Sequence, residues 1–187
     1  MNQRNDTLEL RNKLFMLLKQ RAFRRGRFIL ASGKESDHYF DMKPAMLDPD
    51  GAALLSELIL RELEGIKADC VGGIEMGAVP LIAPVAMRSP AFGRHLQGFF
   101  VRKTVKDHGT QKRVDGADIA GKTVAILEDV TTTGGSSLDA VNAVREAGAE
   151  VSIVLSILDR GEGAAELYAS AGVPFKSLFR AEEFLKS

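Results

Sequence analysis

The stretch VAILEDVTTTGGSSLDAVNAVREAGAEV, Val124–Val151, holds a strand, a loop, a helix and the start of a second strand in one run. TVAILE is apolar and rich in β-branched residues, which predicts a buried strand. It ends on two adjacent acids, Glu128 and Asp129, and a loop of Thr131, Thr132, Thr133, Gly134, Gly135, Ser136 and Ser137 follows. GSSLDAVNAVREAG then has the spacing of an amphipathic helix, and EVSIVLSILD reads as the next strand. A glycine-rich turn opening a helix exposes backbone N–H groups where the helix carries partial positive charge, so it can cradle a phosphate. The pattern is neither G-x-x-x-x-G-K-[ST] nor G-x-G-x-x-G. The acids precede the loop and would repel a phosphate placed on them. They suit sugar hydroxyls, or Mg²⁺ through its bound water. Carboxylates, a phosphate cradle and a strand end together describe a site for a ribose 5-phosphate.

Outward from this stretch the alternation continues. A helix is expected over about Thr7–Arg24, then short strands in FILASG and HYFDM around a polar turn. DPDGAALLSELILRELEG is a helix with Asp48 as cap, Pro49 in its first turn and Gly65 as its stop. DCVGGI and LQGFFVRK read as strands flanking the helix AVPLIAPVAMR. EGAAELYASAG is a helix, PFKSLF a last strand and AEEFLK a final helical turn. Strands alternating with helices imply an α/β domain whose mostly parallel sheet is covered on both faces. No repeat or linker divides residues 1–187. The segment Lys103–Ala120 breaks the pattern. It carries Lys103, Lys106, His108, Lys112 and Arg113, with Gly109 and Gly116 as possible hinges, and predicts a mobile lid over the strand end at Glu128 and Asp129. GGIEMGAVP, Gly72–Pro80, is either a backbone approach to a pyrophosphate or a tight turn. His38 and His95 are expected to be structural or surface residues.

The chain of 187 residues is long enough for one self-sufficient core. It carries 25 Lys plus Arg against 25 Asp plus Glu, so no overall basic field favours nucleic acid. Cys70 is the single cysteine and falls in a predicted buried strand, which suits an inert thiol in a reducing cytoplasm. No apolar run reaches membrane-spanning length, and the first residues are too polar for a signal peptide. A cytoplasmic protein without a membrane partner is expected.

VAILEDVTTTGGSS resembles the motif by which type I phosphoribosyltransferases bind 5-phosphoribosyl 1-pyrophosphate (PRPP). Further segments point to the orotate phosphoribosyltransferase family. RKTVKDHG, Arg102–Gly109, is similar to its catalytic lid. SGKESDHYFD, Ser32–Asp41, resembles its orotate-binding segment. LDRGEG, Leu158–Gly163, stands where that family presents an arginine to the base carboxylate. The resemblance runs in order from about Phe28 to Gly163. It implies the type I phosphoribosyltransferase fold, with a hood formed mainly by residues 1–45 plus the C-terminal segment and a lid at about 103–120. It implies transfer of the phosphoribosyl group from PRPP to orotate with Mg²⁺, in de novo pyrimidine synthesis. Lys103, Lys106, His108 and Asp129 take the catalytic positions. Arg102, Lys103, Lys106, His108, Glu128, Asp129, Thr131, Thr132, Thr133, Gly134, Gly135 and Ser136 take those that bind PRPP. Tyr39, Phe40, Thr132 and Arg160 take those that bind orotate, since a guanidinium matches a carboxylate at two points.

No side chain is implied to bind Mg²⁺ directly; the metal comes mainly with PRPP, and Glu128 and Asp129 reach it through water. The resemblance also implies a homodimer whose lid serves the neighbouring subunit. Some members carry lysines where Ala31 and Gly77 stand here, which leaves more charge neutralisation to the lid and to Mg²⁺. A purine-type phosphoribosyltransferase and a non-catalytic PRPP-sensing regulator are the competing readings. Arg160 and the aromatic segment count against the first. The lack of a basic, DNA-binding surface counts against the second.

Overall fold

The computed structural model describes residues 3–29, 35–104 and 112–186. Helix α1 (Gln3–Arg21) leads into an antiparallel hairpin of β1 (Phe23–Ile29) and β2 (Glu35–Phe40). Helices α2 (Lys43–Met46) and α3 (Pro49–Glu62) follow. The main body then runs β3 (Cys70–Gly72), α4 (Val79–Arg88), β4 (Gln97–Val101), β5 (Val114–Gly116), β6 (Thr123–Thr131), α5 (Gly135–Glu146) and β7 (Glu150–Asp159). It closes with α6 (Ala164–Ser170), β8 (Phe175–Arg180) and α7 (Ala181–Leu185). Helix α3 starts where the sequence places its cap: the Asp48 carboxylate accepts from Asp50 N and Gly51 N, each at 3.1 Å.

The central sheet has six strands in the order β5-β4-β3-β6-β7-β8. Neighbours are parallel except β4 and β5. Both faces are buried, which is why its strands read as nearly continuous apolar runs. Ala125, Leu127, Leu155 and Ile157 face a core built with α1, α3 and α4, including Leu14, Leu58 and Val85. Val124, Ile126 and Val154 face the other core with Val141 and Val144 of α5 and Tyr168 of α6. Cys70 is fully buried there, and burial pushes its thiol above the ordinary range, which fits an inert core residue. No described helix is long and apolar enough to cross a membrane.

The chain winds outward from β3 to β4 in one direction and from β6 to β8 in the other. The order therefore reverses between β3 and β6, and the crevice beyond their carboxyl ends is where open α/β sheets bind ligands. The loop after β3 and the Thr/Gly loop after β6 border it.

Part of the stretch expected to be lid is sheet instead. Val114–Gly116 pairs antiparallel with Phe99–Val101. Ile119 is buried in the second core, with Val114 and Ala117 packed against it. Gly116, at φ +102°, lies so close to β4 that a Cβ would sit 2.7 Å from Gly98 O. These few apolar residues are enough to hold the return segment on the body. Residues 105–111, with Lys106 and His108, lie outside the described residues, as do Ala31, Ser32 and Gly33 of the hood turn.

Candidate active site

Strand β6 delivers the acid pair to the crevice, but its members differ. Asp129 is half-buried, and its Oδ1 accepts from Val130 N at 2.8 Å. Glu128 is buried and accepts a hydrogen bond from the Ser137 hydroxyl, one turn into α5. Burial, and then the contact with the Asp129 carboxyl, pushes Glu128 up to about 8, while the Ser137 bond acts against them. Glu128 therefore lies under the loop rather than open to a ribose, and Ser137 is occupied as its partner. The two acids expected to meet sugar hydroxyls are thus placed differently, Glu128 buried and Asp129 half-buried.

The loop itself is built to lie low. Gly134 takes the left-handed conformation at φ +85° immediately before α5. A Cβ there would lie 3.0 Å from Tyr168 Cζ and 3.2 Å from Ala164 Cβ. Thr133, Gly135 and Ser136 are exposed and Thr132 is half-buried, so these remain accessible on the loop. Thr131 is buried and its hydroxyl has no partner among the described residues. On the opposite wall, a Cβ at Gly77 would sit 2.7 Å from Asp129 Oδ1 and 3.2 Å from Glu128 Oε1. Gly77 would therefore accept a side chain only with a shift of the Asp129 carboxylate. Its neighbour Met76 is the side chain that projects outward there, 62% exposed.

The cations divide in an unexpected way. Arg102 Nε pairs with Asp115 Oδ2 at 2.5 Å, with its guanidinium over the Phe100 ring. Arg113 grips Asp139 on α5 at 2.6 and 2.9 Å and the Arg102 carbonyl at 3.1 Å, so it clamps β5 to α5 rather than belonging to a lid. Lys103 is exposed, and its backbone N donates to Glu75 Oε1 at 3.1 Å. Arg160 follows the end of β7, where Asp159 pairs with Thr131 of β6. Its N donates to Thr131 O at 2.9 Å, which ties the candidate base-reading arginine to the phosphate loop. Its side chain is largely buried beside Glu162, with Nε to Oε1 at 2.9 Å. Arg160 and Arg180 both line a cavity of about 260 Å³.

In the hood the pleat separates the aromatic pair. Tyr39 is 40% exposed and stacks on Phe28 at 5.5 Å. Phe40 is buried, its ring 5.1 Å from Phe23 and 5.5 Å from Phe184 of α7. The Phe40 side chain therefore belongs to the apolar core, while the Tyr39 ring keeps an exposed face. His38 pairs with Asp37 at 2.7 Å and has no part in the crevice.

Lys43 lies within electrostatic reach of Asp129 and Tyr39. Its ammonium bonds Asp41 Oδ1 at 3.2 Å. Burial acts to lower its pKa, but Asp41, with Asp129 and Tyr39 beyond it, outweighs that and holds it above the ordinary value. A lysine in a short KPAM turn carries no motif; only the fold sets it between hood and acid.

The chain matches the family model described as phosphoribosyl transferase domain over residues 45–183. It is 51% identical over 181 residues to the orotate phosphoribosyltransferase of Rhodopseudomonas palustris, covering 95% of this chain and 97% of that protein. It is 50% identical over 181 residues to that of Bradyrhizobium diazoefficiens, with the same coverage of 95% and 97%. Among solved structures, the Mycobacterium tuberculosis orotate phosphoribosyltransferase in complex with PRPP superposes with a TM-score of 0.80 at 31% identity, covering 94% of this chain and 98% of that one. An adenine phosphoribosyltransferase from Thermoanaerobacter pseudethanolicus, at 17% identity and a TM-score of 0.66 over 89% of this chain and 99% of that one, shares the fold alone. With the acid-ended β6, the low phosphate loop and the switch-point crevice already in place, this likeness over nearly the whole length means that the chain belongs to the orotate phosphoribosyltransferase family.

Proposed function

We propose that this enzyme transfers the 5-phosphoribosyl group of PRPP to orotate, giving orotidine 5′-monophosphate and pyrophosphate in the de novo route to UMP. The observation that carries the reading is the joining of Asp129, the Thr132–Ser136 loop and Arg160 at the carboxyl ends of β6 and β7. The loop and the α5 N-terminus receive the 5-phosphate. Asp129 accepts from the ribose hydroxyls. Tyr39 offers a ring face to the base, and Arg160 its guanidinium to the orotate carboxylate, exchanging Glu162 for the substrate. Charge grows on the departing pyrophosphate, and Arg102, Lys103, Lys106 and His108 neutralise it while the closed lid excludes water. Arg102 must then leave Asp115. No side-chain nucleophile takes part.

Mg²⁺ fits this site as a companion of PRPP. Among the described residues no group of three or more His, Cys, Asp or Glu side chains is placed to hold a metal ion. Asp129 would touch it through water, and the bound metal supplies further neutralisation of the pyrophosphate. A panel of orotate, hypoxanthine and adenine with PRPP and Mg²⁺ tests the assignment. Turnover with orotate alone is expected, and turnover with a purine but not orotate would overturn it.

Arg160→Ala should raise KM for orotate about tenfold or more while KM for PRPP changes little, because one substrate alone loses a charge-assisted contact. Equal rises for both would reassign the arginine to the phosphate side.

A homodimer with lids acting in trans follows from the family resemblance. Mixing Asp129→Asn with Lys106→Ala under subunit exchange then makes about half the dimers mixed and restores roughly a quarter of the sites. Mixed dimers confirmed by mass with no regained activity would place the lid in cis.

A further inference from the structure

Tyr168 lies outside every segment named so far as functional. It sits on α6, behind the sheet, fully buried, with its ring 4.8 Å from that of Phe175. Its hydroxyl comes up directly beneath the phosphate loop: a Cβ on Gly134 would be 3.1 Å from the phenolic oxygen. That oxygen has no hydrogen-bond partner among the described residues, and neither has Thr131 Oγ1. A buried hydroxyl without a partner is uncommon and costly, so one that persists beneath a ligand loop calls for a role. Burial raises the phenol above its ordinary pKa, while the Ser137 and Thr131 hydroxyls act the other way, which puts both within its influence. The group is neutral and able to donate.

We infer that Tyr168 is a positioning residue for PRPP binding. Its ring sets how low Gly134 can lie, and its hydroxyl takes up Thr131 and Ser137 from below when the loop closes on the 5-phosphate. Ser137 already holds Glu128, so the connection runs from α6 through the loop's underside to the acid pair. The hydroxyl of Thr131 and the backbone carbonyl of the same residue, which accepts from Arg160, make Thr131 the point where the phosphate and base halves of the site meet. The loop residues near the Tyr168 hydroxyl, Thr131, Gly134 and Ser137, belong to the phosphate half, so that is where Tyr168 acts.

This inference rests on the reading of residues 131–137 as the PRPP loop, and the experiment separates the two. Binding of PRPP with Mg²⁺ is measured by calorimetry, and steady-state constants for both substrates are measured, on wild type, Tyr168→Phe and Phe175→Leu. Tyr168→Phe keeps the ring and removes an unpaired oxygen, so the fold should survive, with an unchanged melting temperature. Its Kd and KM for PRPP should rise roughly three- to tenfold, the weight of one neutral hydrogen bond, with KM for orotate within about twofold and kcat changed less than KM for PRPP. Phe175→Leu loosens the same ring from its other side and should lower the melting temperature without a loss selective for PRPP. Wild-type PRPP affinity in Tyr168→Phe, or equal rises in both KM values, would overturn the inference. So would the same PRPP-selective loss in Phe175→Leu, because the role would then be packing alone. If the wild type binds no PRPP, the loop reading itself fails.

Discussion

Asp129→Asn is expected to lower kcat/KM by about two to three orders of magnitude, the range seen when one group that meets charge in the transition state is removed. The fold should be unaffected. Asparagine keeps the oxygen that accepts from Val130 N, and Asp129 is half-buried at the end of its strand, where substitutions change stability little. The loss should appear in kcat as well as in KM for PRPP, since a ribose held without a carboxylate lacks a partner for the positive charge that develops on the sugar. A folded Asp129→Asn protein with nearly normal kcat/KM would remove Asp129 from the chemistry and leave the acid pair as a structural strand end.

Glu128 should instead reveal itself in stability. Its carboxyl stands at about 8 in the folded protein against an ordinary value of 4.5. Between those values the folded state holds a proton that the unfolded state has released. The stability this group contributes is complete below pH 4.5 and is lost as pH rises toward 8, by an amount on the order of a few kcal/mol. Glu128→Gln keeps an oxygen to accept from Ser137 and cannot ionise, so its stability should not follow that slope. Urea unfolding of both proteins at pH 5, 6.5 and 8 should show the wild type losing ground steadily to the variant. Parallel curves would mean that the buried acid is already ionised at pH 5, and that water or a cation reaches it.

These substitutions concern two adjacent acidic residues, and their different surroundings show where sequence reading stops. The strand of β6, the loop, the helix of α5 and the strand of β7 were legible because their periodicities are local: apolar runs for strands buried on both faces, a helical stripe for α5, glycine where the chain must turn. The cap of α3 was legible for the same reason, since Asp48 reaches only to Asp50 and Gly51. Loop chemistry and family resemblance together singled out the Thr/Gly loop, Asp129 and Arg160, which the fold brings to neighbouring strand ends.

What each side chain is free to do depends on partners distant in the chain. Glu128 is held by Ser137, Phe40 by Phe23 and Phe184, Arg102 by Asp115 and Arg113 by Asp139. Val114 and Ile119 look too few in sequence to order a segment, yet they meet a core assembled from α5 and β4 and hold the return of an expected lid on the body, with Val114–Gly116 as sheet. Lys43 and Tyr168 belong to no motif, and come near the site only because the hood folds back over β6 and α6 packs beneath the loop. Sequence alone determined the secondary structure around the phosphate loop, the family and the residue types that the chemistry needs, because these are written in short-range patterns. The fold decided which of those residues remain available, because a charge or a ring is committed by whichever neighbour packing brings within about 3–5 Å of it.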